Sequence, residues 1–322
     1  MKITGKTKIV GIFGYPIEHS FSPLMHNAAF SALGLDYCYI PFEVQSEDLK
    51  SAVESIRALN IRGVNITVPH KESVIKYLDE LSKEAKLIGA VNTIENKNGR
   101  LIGHNTDGRG FIKSLWDDAK TKVKGKRVLL IGAGGAGKGV AVSCALEGAY
   151  EIAIANRTVK RANELVGYLK RNFKKTKFSA IPLNGHELAR GIASADILIN
   201  ATSLGLKGKG LLPISQKEFH RDLVIYDLIY NPQITPLLKI AGRAGVKKAV
   251  NGLGMLIYQG ALAFQIWTGK NPPVDVNGTS LWSQNCFEKG NNIVCIRPVL
   301  SFSAVMAAAG AMPAFCMSMI LC

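Results

Sequence analysis

Three clusters of polar residues in the first third of the chain have the side chains needed to bind and convert a small polar molecule. They lie at residues 19–22, 65–71 and 92–107, and each follows a run of apolar residues. Most members are serine, threonine or asparagine, while Lys71 and Asp107 form the titratable pair. Such a set suits a polyhydroxylated ligand, with an ammonium and a carboxylate available for acid–base chemistry.

The hydroxyl and amide groups of the first two clusters are spaced so that neighbours face the same way. Ser20 and Ser22 open a predicted helix, where they could cap the helix or hold a ligand carboxylate. Capping alone explains one serine but not both. Asn65 and Thr67 are two positions apart on a predicted strand and therefore share one of its faces.

Each polar residue taken alone also has an ordinary structural interpretation. Asn92 is a common turn former, Asp107 stands where a helix N-cap is expected, and His70 and His104 are expected to be hydrogen-bonded loop residues. The three clusters together favour a ligand site. No spacing of His, Cys, Asp or Glu matches a metal site, so we expect no metal, and Lys71 must supply the charge that a metal ion would otherwise supply.

A glycine-rich loop in the middle of the chain has the pattern of a dinucleotide-binding turn. It consists of Gly132, Ala133, Gly134, Gly135, Ala136 and Gly137, and it follows a predicted strand and precedes a predicted helix. In that context the first glycine allows the tight turn, the second a close approach of backbone N–H groups to a pyrophosphate, and the third close strand–helix packing. The alternative is a glycine-rich turn that binds nothing.

The residues after the next predicted strand indicate which dinucleotide the loop would bind. NAD sites usually place an Asp or Glu there, whereas this chain has Asn156, Arg157 and Thr158, followed by Lys160 and Arg161. No carboxylate repels a 2′-phosphate, and a guanidinium can hold one by paired hydrogen bonds. The residues therefore predict NADP(H), with ordinary surface charge as the alternative for the arginines.

Alternating predicted strands and helices place these residues in an α/β protein of two domains. The first block has predicted strands at residues 9–13, 37–42, 64–68 and 90–94 and helices at 22–33, 47–59, 72–78 and 82–88. The second has strands at 127–131, 151–155, 178–181, 197–200 and 223–227 and helices at 137–147, 159–172, 184–193 and 235–244. An apolar helix is predicted at 253–268. The second block is typical of a Rossmann-like domain with a parallel sheet.

The composition is that of a folded chain with a basic surface. Its 322 residues are 47% hydrophobic and 20% charged, and 40 Lys and Arg against 24 Asp and Glu give a net charge of +16. That charge favours phosphates, carboxylates or nucleic acid as partners. Because the basic stretches lack interleaved aromatic residues and no nucleic-acid recognition motif is present, we expect no nucleic-acid partner.

Cysteine usage and the N-terminal residues indicate a reducing compartment. Residues 1–276 contain only Cys38 and Cys144, whereas four more cysteines lie in the last 46 residues. Two isolated cysteines in a large core are typical of a cytoplasmic protein rather than of a disulfide scaffold. The first 17 residues hold no uninterrupted apolar segment of a secretory signal, so we expect a cytoplasmic protein without membrane association for residues 1–276.

From residue 5 to residue 276 the chain resembles the shikimate dehydrogenase family, because a series of motifs occurs in that family's order. The motifs are Ser20-Phe-Ser22-Pro23, Asn65-Ile-Thr67-Val-Pro69-His-Lys71, Gly89-Ala-Val-Asn92-Thr93, Asn105-Thr-Asp107-Gly, the glycine loop, Asn156-Arg157-Thr158, Asn200-Ala-Thr202-Ser203-Leu-Gly205, Tyr226-Asp227-Leu-Ile-Tyr230 and Gly254-Met-Leu-Ile-Tyr-Gln259. The family reduces 3-dehydroshikimate to shikimate with NADPH. The resemblance implies an N-terminal α/β substrate domain, completed by the helix at 253–268, and a cleft between the two domains.

The resemblance also implies a role for each candidate residue. Ser20 and Ser22 would bind the substrate carboxylate, and Lys71 and Asp107 would form the catalytic pair. The rest of the substrate would contact Asn65, Thr67, Lys71, Asn92, Asp107, Tyr230 and Gln259. Besides the glycine loop, NADP(H) would contact Asn156, Arg157, Thr158, Arg161, Thr202, Ser203, Leu228 and Gly252.

The resemblance divides the chain into three parts. Residues 1–106 and 253–276 would bind the substrate, residues 107–252 would bind NADP, and residues 277–322 depart from the family. The last 24 residues contain no charged side chain, and they include Pro313 among small side chains. This segment is long enough to span a bilayer, but it is only weakly apolar. For residues 277–322 we rank a loosely packed extension first and a membrane or partner contact second. A read-through C-terminus is a further alternative. A homodimer is left open.

Three alternatives for the function stay open. The first is an NAD-using quinate/shikimate dehydrogenase, against which the missing carboxylate at residue 156 argues. The second is a non-catalytic regulator that binds NADP or shikimate, against which Lys71 and Asp107 argue. The third is a basic nucleic-acid-binding protein, which would need a strongly salt-dependent affinity for DNA or RNA.

Overall fold

A six-stranded mixed sheet forms the first of two α/β domains in residues 2–272, the part of the chain that the computed structural model describes. Its strands are β1 (Lys8–Gly14), β2 (Tyr37–Glu43), β3 (Gly63–Ile66), β4 (Glu80–Leu81), β5 (Thr93–Lys97) and β6 (Arg100–His104). Their order is β2-β1-β3-β5-β6-β4. Strand β1 is parallel to β2 and β3, while β5 is antiparallel to β3 and β6. The helices are α1 (Ser22–Ala32), α2 (Leu49–Ala58), α3 (Lys83–Ile88) and a 3-10 helix (Ser73–Tyr77), and α4 (Asp107–Ala119) leads out of the domain.

The second domain is built on a fully parallel sheet. Its strands are β7 (Arg127–Ile131), β8 (Glu151–Asn156), β9 (Lys177–Pro182), β10 (Ile197–Asn200), β11 (Val224–Asp227) and β12 (Lys248–Asn251), in the order β12-β11-β10-β7-β8-β9. Its helices are α5 (Gly135–Leu146), α6 (Val159–Asn172), α7 (Gly185–Ser194) and α8 (Pro236–Arg243), and α9 (Leu253–Thr268) leads back. This strand order is that of dinucleotide-binding Rossmann folds, in which ligands bind where the order reverses, here between β7 and β10.

Helices α4 and α9 pack closely against each other and join the two domains. A Cβ on Gly110 would lie 2.7 Å from the backbone nitrogen of Gln259, so glycine is required for this approach. Helix α9 then buries Phe264 and Trp267 in the first domain's core, where Trp267 Nε1 donates to the Ile94 carbonyl at 3.0 Å. The helix at 253–268 therefore completes the first domain, as the resemblance implies.

Most predicted elements of the second block are confirmed, and those at 127–131, 159–172, 197–200 and 253–268 match residue for residue. Two predictions in the first block are wrong. The strand predicted at 90–94 begins only at Thr93, because Gly89 takes a left-handed conformation with φ 70° and ends α3. The helix predicted at 72–78 is a 3-10 helix over Ser73–Tyr77.

Three short strands, β4, β6 and β12, are absent from the sequence-based assignment. Strands β5 and β6 form a hairpin whose two turn residues, Asn98 and Gly99, have φ values of 54° and 87°. Asn-Gly between strands is a strong hairpin signal, so β6 was predictable. Strand β4 has two residues and β12 has four, too few for an alternating pattern to stand out.

The predicted domain boundary falls where α4 begins. That helix packs on both α9 and α5, so the division at residue 106 stays a prediction. The predicted extension at residues 277–322 lies outside the described residues. Within residues 2–272 no helix has the length and apolar character to cross a membrane.

The first domain's core encloses His26, whose buried ring is difficult to protonate. The His26 ring stacks with those of Tyr39 and Phe264, with centroids 4.5 and 6.2 Å away. Among the described residues, no group hydrogen bonds to its buried Nε2. Burial lowers the pKa of His26 from 6.5 to about 3, because the imidazolium loses its hydration there.

Acid should therefore destabilise the protein through His26. The unfolded imidazole takes up a proton below about pH 6.5 and the folded one only near pH 3, so the free energy of unfolding should fall as the pH drops between these values. The contribution of this residue is up to ~1.4 kcal/mol per pH unit. The free energy of unfolding, measured with denaturant at a series of pH values, should depend less steeply on pH in His26→Phe than in the wild type. The exposed control His186→Phe should keep the wild-type dependence. Equal slopes for wild type and His26→Phe would contradict the assignment.

Candidate active site

The Lys71 and Asp107 side chains form an ion pair, with Nζ 2.7 Å from Oδ2. Lys71 lies in the loop after β3, where its carbonyl accepts the Val91 N–H at 2.7 Å, and Asp107 is the first residue of α4. The two side chains are 33% and 24% exposed, so the pair is held in place and open to a ligand. An ammonium and a carboxylate so placed can move a proton to or from a ligand oxygen.

Asn92 fixes the other oxygen of the Asp107 carboxylate. Its buried Nδ2 donates to Asp107 Oδ1 at 2.9 Å and to Thr106 Oγ1 at 2.8 Å. Gln259 Oε1 lies 3.3 Å from the same nitrogen. Because Gln259 belongs to α9, the returning helix supplies part of the site.

Asn65 and Thr67 differ in how much of their hydrogen-bonding capacity is available. Asn65 is buried, and its Nδ2 donates to the Asn92 carbonyl and to Thr93 Oγ1, both at 3.1 Å. Its Oδ1 accepts from the Tyr39 hydroxyl at 2.7 Å. Both amide hydrogens of Asn65 are thus used within the protein, and toward a ligand it offers its oxygen. Thr67, one residue beyond β3, is partly exposed.

Ser20 and Ser22 lie at the amino end of α1. Ser20 Oγ accepts the Ser22 N–H at 3.3 Å, and the buried Ser22 hydrogen bonds to the Tyr39 phenol. The N-cap position is Phe21, which provides no side-chain cap, so N-capping does not account for these serines. Strands β1 and β3 are parallel neighbours, so the segments that follow them leave the same edge of the sheet. The serines come after β1 and Thr67 comes after β3.

The glycine loop joins β7 to α5 at the point where the strand order reverses. Gly132 has φ 108°, and a Cβ on Gly137 would contact the Gly132 carbonyl. A Cβ on Gly134 would meet no atom within 4 Å, so space is open above the helix N-terminus. The Ala133 N–H donates to Asn156 Oδ1 at 3.2 Å, which fixes the loop. Gly134, Gly135 and Ala136 are exposed, and the cradle fits a pyrophosphate.

Beyond β8 the chain presents cationic side chains. Arg157, Thr158 and Arg161 are exposed, and within residues 2–272 neither arginine forms a salt bridge. Asn156 Nδ2 donates to the Thr158 carbonyl at 2.9 Å, which orders the turn. Uncommitted guanidinium groups beside the glycine loop fit a nucleotide that carries an extra phosphate.

A buried pair, Asn200 and Asp227, supports the loops on the other side of β7. Asn200 Nδ2 donates to Asp227 Oδ1 at 2.9 Å, and its Oδ1 accepts from the Thr202 hydroxyl at 2.7 Å. Asp227 also accepts from the Thr235 hydroxyl at 2.6 Å and from the Ile229 N–H at 3.1 Å. Burial raises the pKa of Asp227, and these hydrogen bonds to its charged form oppose the rise.

The remaining cofactor candidates lie on these supported loops. Ser203 is exposed next to Thr202. A Cβ on Gly252 would contact the Leu228 carbonyl, so these two backbone segments need glycine to meet. Tyr230 is partly buried, and desolvation raises the pKa of its phenol, which therefore stays protonated.

The loop after β3 comes close to the glycine loop of the second domain. Glu72, next to Lys71, has its Oε1 3.7 Å from the position of a Cβ on Gly135. On the same side, the Tyr168 hydroxyl of α6 donates to the Leu87 carbonyl of α3 at 2.6 Å. The loop that carries Lys71 and the glycine loop of the second domain are therefore neighbours across the two domains.

The two histidines near the site are hydrogen-bonded, as expected, but only His70 lies in a loop, since His104 is the last residue of strand β6. The buried His70 has Nε2 2.7 Å from the Val44 carbonyl, and His104 has Nε2 3.3 Å from Glu95 Oε2. Neither is a hydrogen-bond partner of Lys71. Among the described residues, the ion pair therefore stays the candidate for acid–base chemistry at the site.

Sequence reasoning missed the residues that support the site from behind. These are Tyr39, Thr93, Asn200 and Asp227. Three of them stand inside motifs that the sequence analysis quotes, so their position beside candidate residues was a usable signal. Tyr39 lies within β2 and carries no such signal, because its hydroxyl reaches the site only through the pairing of β1 with β2 and β3.

Three family models match the chain. The "Shikimate dehydrogenase substrate binding domain" matches residues 12–94, "Shikimate / quinate 5-dehydrogenase" matches residues 115–221, and "Shikimate 5'-dehydrogenase C-terminal domain" matches residues 252–276. The matches extend over both domains. They contain the polar clusters up to residue 94, the glycine loop and Gln259.

Individual relatives cover most of the chain. The shikimate dehydrogenase (NADP(+)) of Alkaliphilus metalliredigens is 47% identical over 277 residues, which are 85% of this chain and 96% of that protein. That of Methanopyrus kandleri is 46% identical over 278 residues, 86% and 95% of the two chains. The crystal structure of shikimate 5-dehydrogenase from Listeria monocytogenes in complex with shikimate and NAD has a TM-score of 0.81 and 43% identity, covering 85% of this chain and 96% of that one.

Replacing Asp227 with Asn should destabilise the protein by roughly 1–3 kcal/mol, because hydroxyl and N–H donors would then face an amide NH₂ group in a buried site. Urea unfolding measures the loss. The matched control is Asp222→Asn, whose carboxylate is 87% exposed and 3.9 Å from Lys247, and it should change stability by less than about 0.5 kcal/mol. Equal stabilities for the two variants would show that the buried network does not hold these loops.

Proposed function

The chain belongs to the shikimate dehydrogenase family, and on that premise we propose that it catalyses the reversible NADPH-dependent reduction of 3-dehydroshikimate to shikimate. The observation that carries the proposal is the Lys71–Asp107 ion pair, 2.7 Å long and partly exposed. The glycine loop, whose shape fits a dinucleotide pyrophosphate, lies near the residue next to Lys71, since Glu72 Oε1 is 3.7 Å from the position of a Cβ on Gly135. Such a reaction needs those two things, a proton donor beside the reacting oxygen and a cofactor site facing it.

The hydrogen-bonding groups of the first domain match the chemistry of a cyclic hydroxy acid. We assign the substrate carboxylate to the hydroxyls of Ser20 and Ser22, at the amino end of α1, and the ring hydroxyls to the Lys71–Asp107 pair and its surroundings. The other groups assigned to the ring are Asn65, through its oxygen, and Thr67, Asn92 and Gln259. We assign Tyr230 to the border between substrate and cofactor.

The ion pair would handle the proton of the reaction. NADPH, when bound, supplies the hydride that reduces the ring carbonyl carbon. The Lys71 ammonium would donate a hydrogen bond and then a proton to the carbonyl oxygen, which becomes a hydroxyl. Asp107 keeps Nζ in place through Oδ2, while Asn92 holds Oδ1 and so prevents the carboxylate from turning away. In the oxidation direction Lys71 accepts the same proton.

The cofactor residues are assigned from the same fit. The glycine loop would hold the pyrophosphate, and Arg157 and Arg161, with Asn156 and Thr158, would hold the adenosine 2′-phosphate. On the other side of β7, Thr202, Ser203, Leu228 and Gly252 would border the nicotinamide half. The exposed arginines favour NADPH over the NAD-dependent alternative.

The product leads to chorismate and the aromatic amino acids, and we place the enzyme in the cytoplasm. Its partner is a small-molecule substrate, and a homodimer is a further expectation.

The substrate is tested by following the absorbance of NADPH with 3-dehydroshikimate and with 3-dehydroquinate. Turnover of neither would favour a binding regulator, and faster turnover of 3-dehydroquinate a quinate enzyme.

Replacing Lys71 with Ala should lower kcat by about 10²–10⁴-fold and change the KM for shikimate much less, because the lysine acts on the proton of the reacting group. Steady-state kinetics with NADP⁺ and shikimate measure both. The exposed Lys76, whose ammonium lies over the Tyr77 ring, gives the matched control Lys76→Ala, which should keep wild-type kcat. An unchanged kcat in Lys71→Ala would remove this residue from the chemistry.

Replacing Arg157 with Asp should lower kcat/KM for NADPH by about tenfold to a hundredfold, the loss expected for one charge-assisted hydrogen bond that is replaced by repulsion. The value for NADH should stay the same or rise. Arg171→Asp, at the far end of α6, is the control. Equal kcat/KM for NADPH and NADH in the wild-type protein would contradict the cofactor assignment.

A further inference from the structure

A continuous chain of hydrogen bonds runs from the phenol of Tyr39 to the Asp107 carboxylate. Tyr39 OH donates to Asn65 Oδ1 at 2.7 Å, and Asn65 Nδ2 donates to Thr93 Oγ1 at 3.1 Å. Thr93 Oγ1 donates to Asn92 Oδ1 at 3.1 Å. Asn92 Nδ2 donates to Asp107 Oδ1 at 2.9 Å. Tyr39 and Thr93 are the two members without an assigned role.

The chain has a single direction because each member has few other choices. Thr93 has one hydroxyl hydrogen, and since its oxygen receives the Asn65 amide, that hydrogen goes to Asn92 Oδ1. The Thr106 backbone N–H donates to the same oxygen at 2.8 Å. Because the Thr93 hydroxyl and the Thr106 N–H both donate to Asn92 Oδ1, the amide nitrogen of Asn92 must point the other way, toward Asp107.

Burial makes this direction persistent. The exposed fractions are 2% for Tyr39, 5% for Asn65, 2% for Asn92 and 0% for Thr93, so water does not compete for their hydrogen bonds. Burial also raises the pKa of Tyr39 well above its ordinary value, which keeps the phenol protonated as a donor. A reversed Asn65 amide would then put an NH₂ group against that donor.

We propose that Tyr39 and Thr93 are positioning residues for the reaction, which set the orientation of the Asn65 and Asn92 amides and thereby hold the Asp107 carboxylate against Lys71. This inference rests on the proposed function. Neither residue touches the substrate in this account. Thr93 acts through Asn92, which binds the carboxylate oxygen that Lys71 does not use. Tyr39 acts through Asn65 and also hydrogen bonds to Ser22, so a part of its effect that passes through Ser22 would change the KM for shikimate.

The chain offers matched variants for a test. Thr93→Val keeps the shape and removes the hydroxyl, leaving an Asn65 N–H without its acceptor, whereas Thr93→Ser keeps the hydroxyl. Tyr39→Phe removes the first donor of the chain. Its control is Tyr37→Phe on the same strand, since the buried Tyr37 hydroxyl bonds the Trp267 carbonyl at 3.4 Å and is outside the chain.

The measurements are kcat, the KM values for shikimate and NADP⁺, and the thermal midpoint of each variant. Thr93→Val should lower kcat about tenfold, since a misplaced reacting group costs up to about a hundredfold, with the KM for NADP⁺ unchanged. Tyr39→Phe should lower kcat severalfold. Thr93→Ser should restore kcat to within about twofold of wild type, and Tyr37→Phe should retain it. A merely structural role would move the midpoints without this pattern in kcat.

Two results would overturn the inference while the wild type turns over shikimate. One is kcat within twofold of wild type in both Thr93→Val and Tyr39→Phe, and the other is an equal loss in Thr93→Val and Thr93→Ser. Should Thr93→Val fail to fold, the comparison of Tyr39→Phe with Tyr37→Phe decides by the same criterion. A wild-type protein without activity on shikimate would instead contradict the proposed function.

Discussion

A lysine ammonium and an aspartate carboxylate that lie 36 residues apart in the chain are held 2.7 Å from each other, and elements from separate parts of the first domain meet to place them there. Lys71 comes from the loop after β3 and Asp107 from the start of α4. The hairpin of β5 and β6 lies between them, and Asn92, just before β5, bonds the free carboxylate oxygen. The returning helix α9 closes the group with Gln259.

This ion pair has little to do with holding the fold together. A pair with about a third and a quarter of its side chains exposed contributes on the order of 0–1 kcal/mol, whereas the buried amides around it are costly to disrupt. The second domain shows the contrast. There Asn200 donates to Asp227 much as Asn92 donates to Asp107, but Asp227 is fully buried and receives hydroxyl and N–H donors. In the second domain the Asn–Asp pairing supports loops. In the first domain the same pairing leaves one carboxylate oxygen for the Lys71 ammonium, and the ion pair is partly exposed.

Much of this was accessible from the sequence. Regular alternation and the glycine pattern located the parallel sheet and its loop, because a strand, a Gly-rich turn and a helix are local features. The polar clusters, Lys71 and Asp107 among them, were also found, since they stand at strand ends. Tyr39 was not, because its role depends on which strands pair, and a hydroxyl in a buried strand carries no local signal. Thr93 was not assigned a role either, although it stands beside Asn92 in one of the motifs. The late start of β5 at Thr93 was missed for a related reason, since the left-handed Gly89 ends α3 and delays the strand.

The central claim is that the ion pair lies at the reacting oxygen, and a crystal structure of the protein with shikimate and NADP⁺ measures this most directly. We expect a ring hydroxyl of shikimate within about 3.2 Å of both Lys71 Nζ and an Asp107 oxygen. The nicotinamide should lie against the carbon that bears this hydroxyl, and the substrate carboxylate should lie at Ser20 and Ser22. Shikimate bound in the cleft with Lys71 Nζ beyond hydrogen-bonding distance of every ring hydroxyl would contradict it.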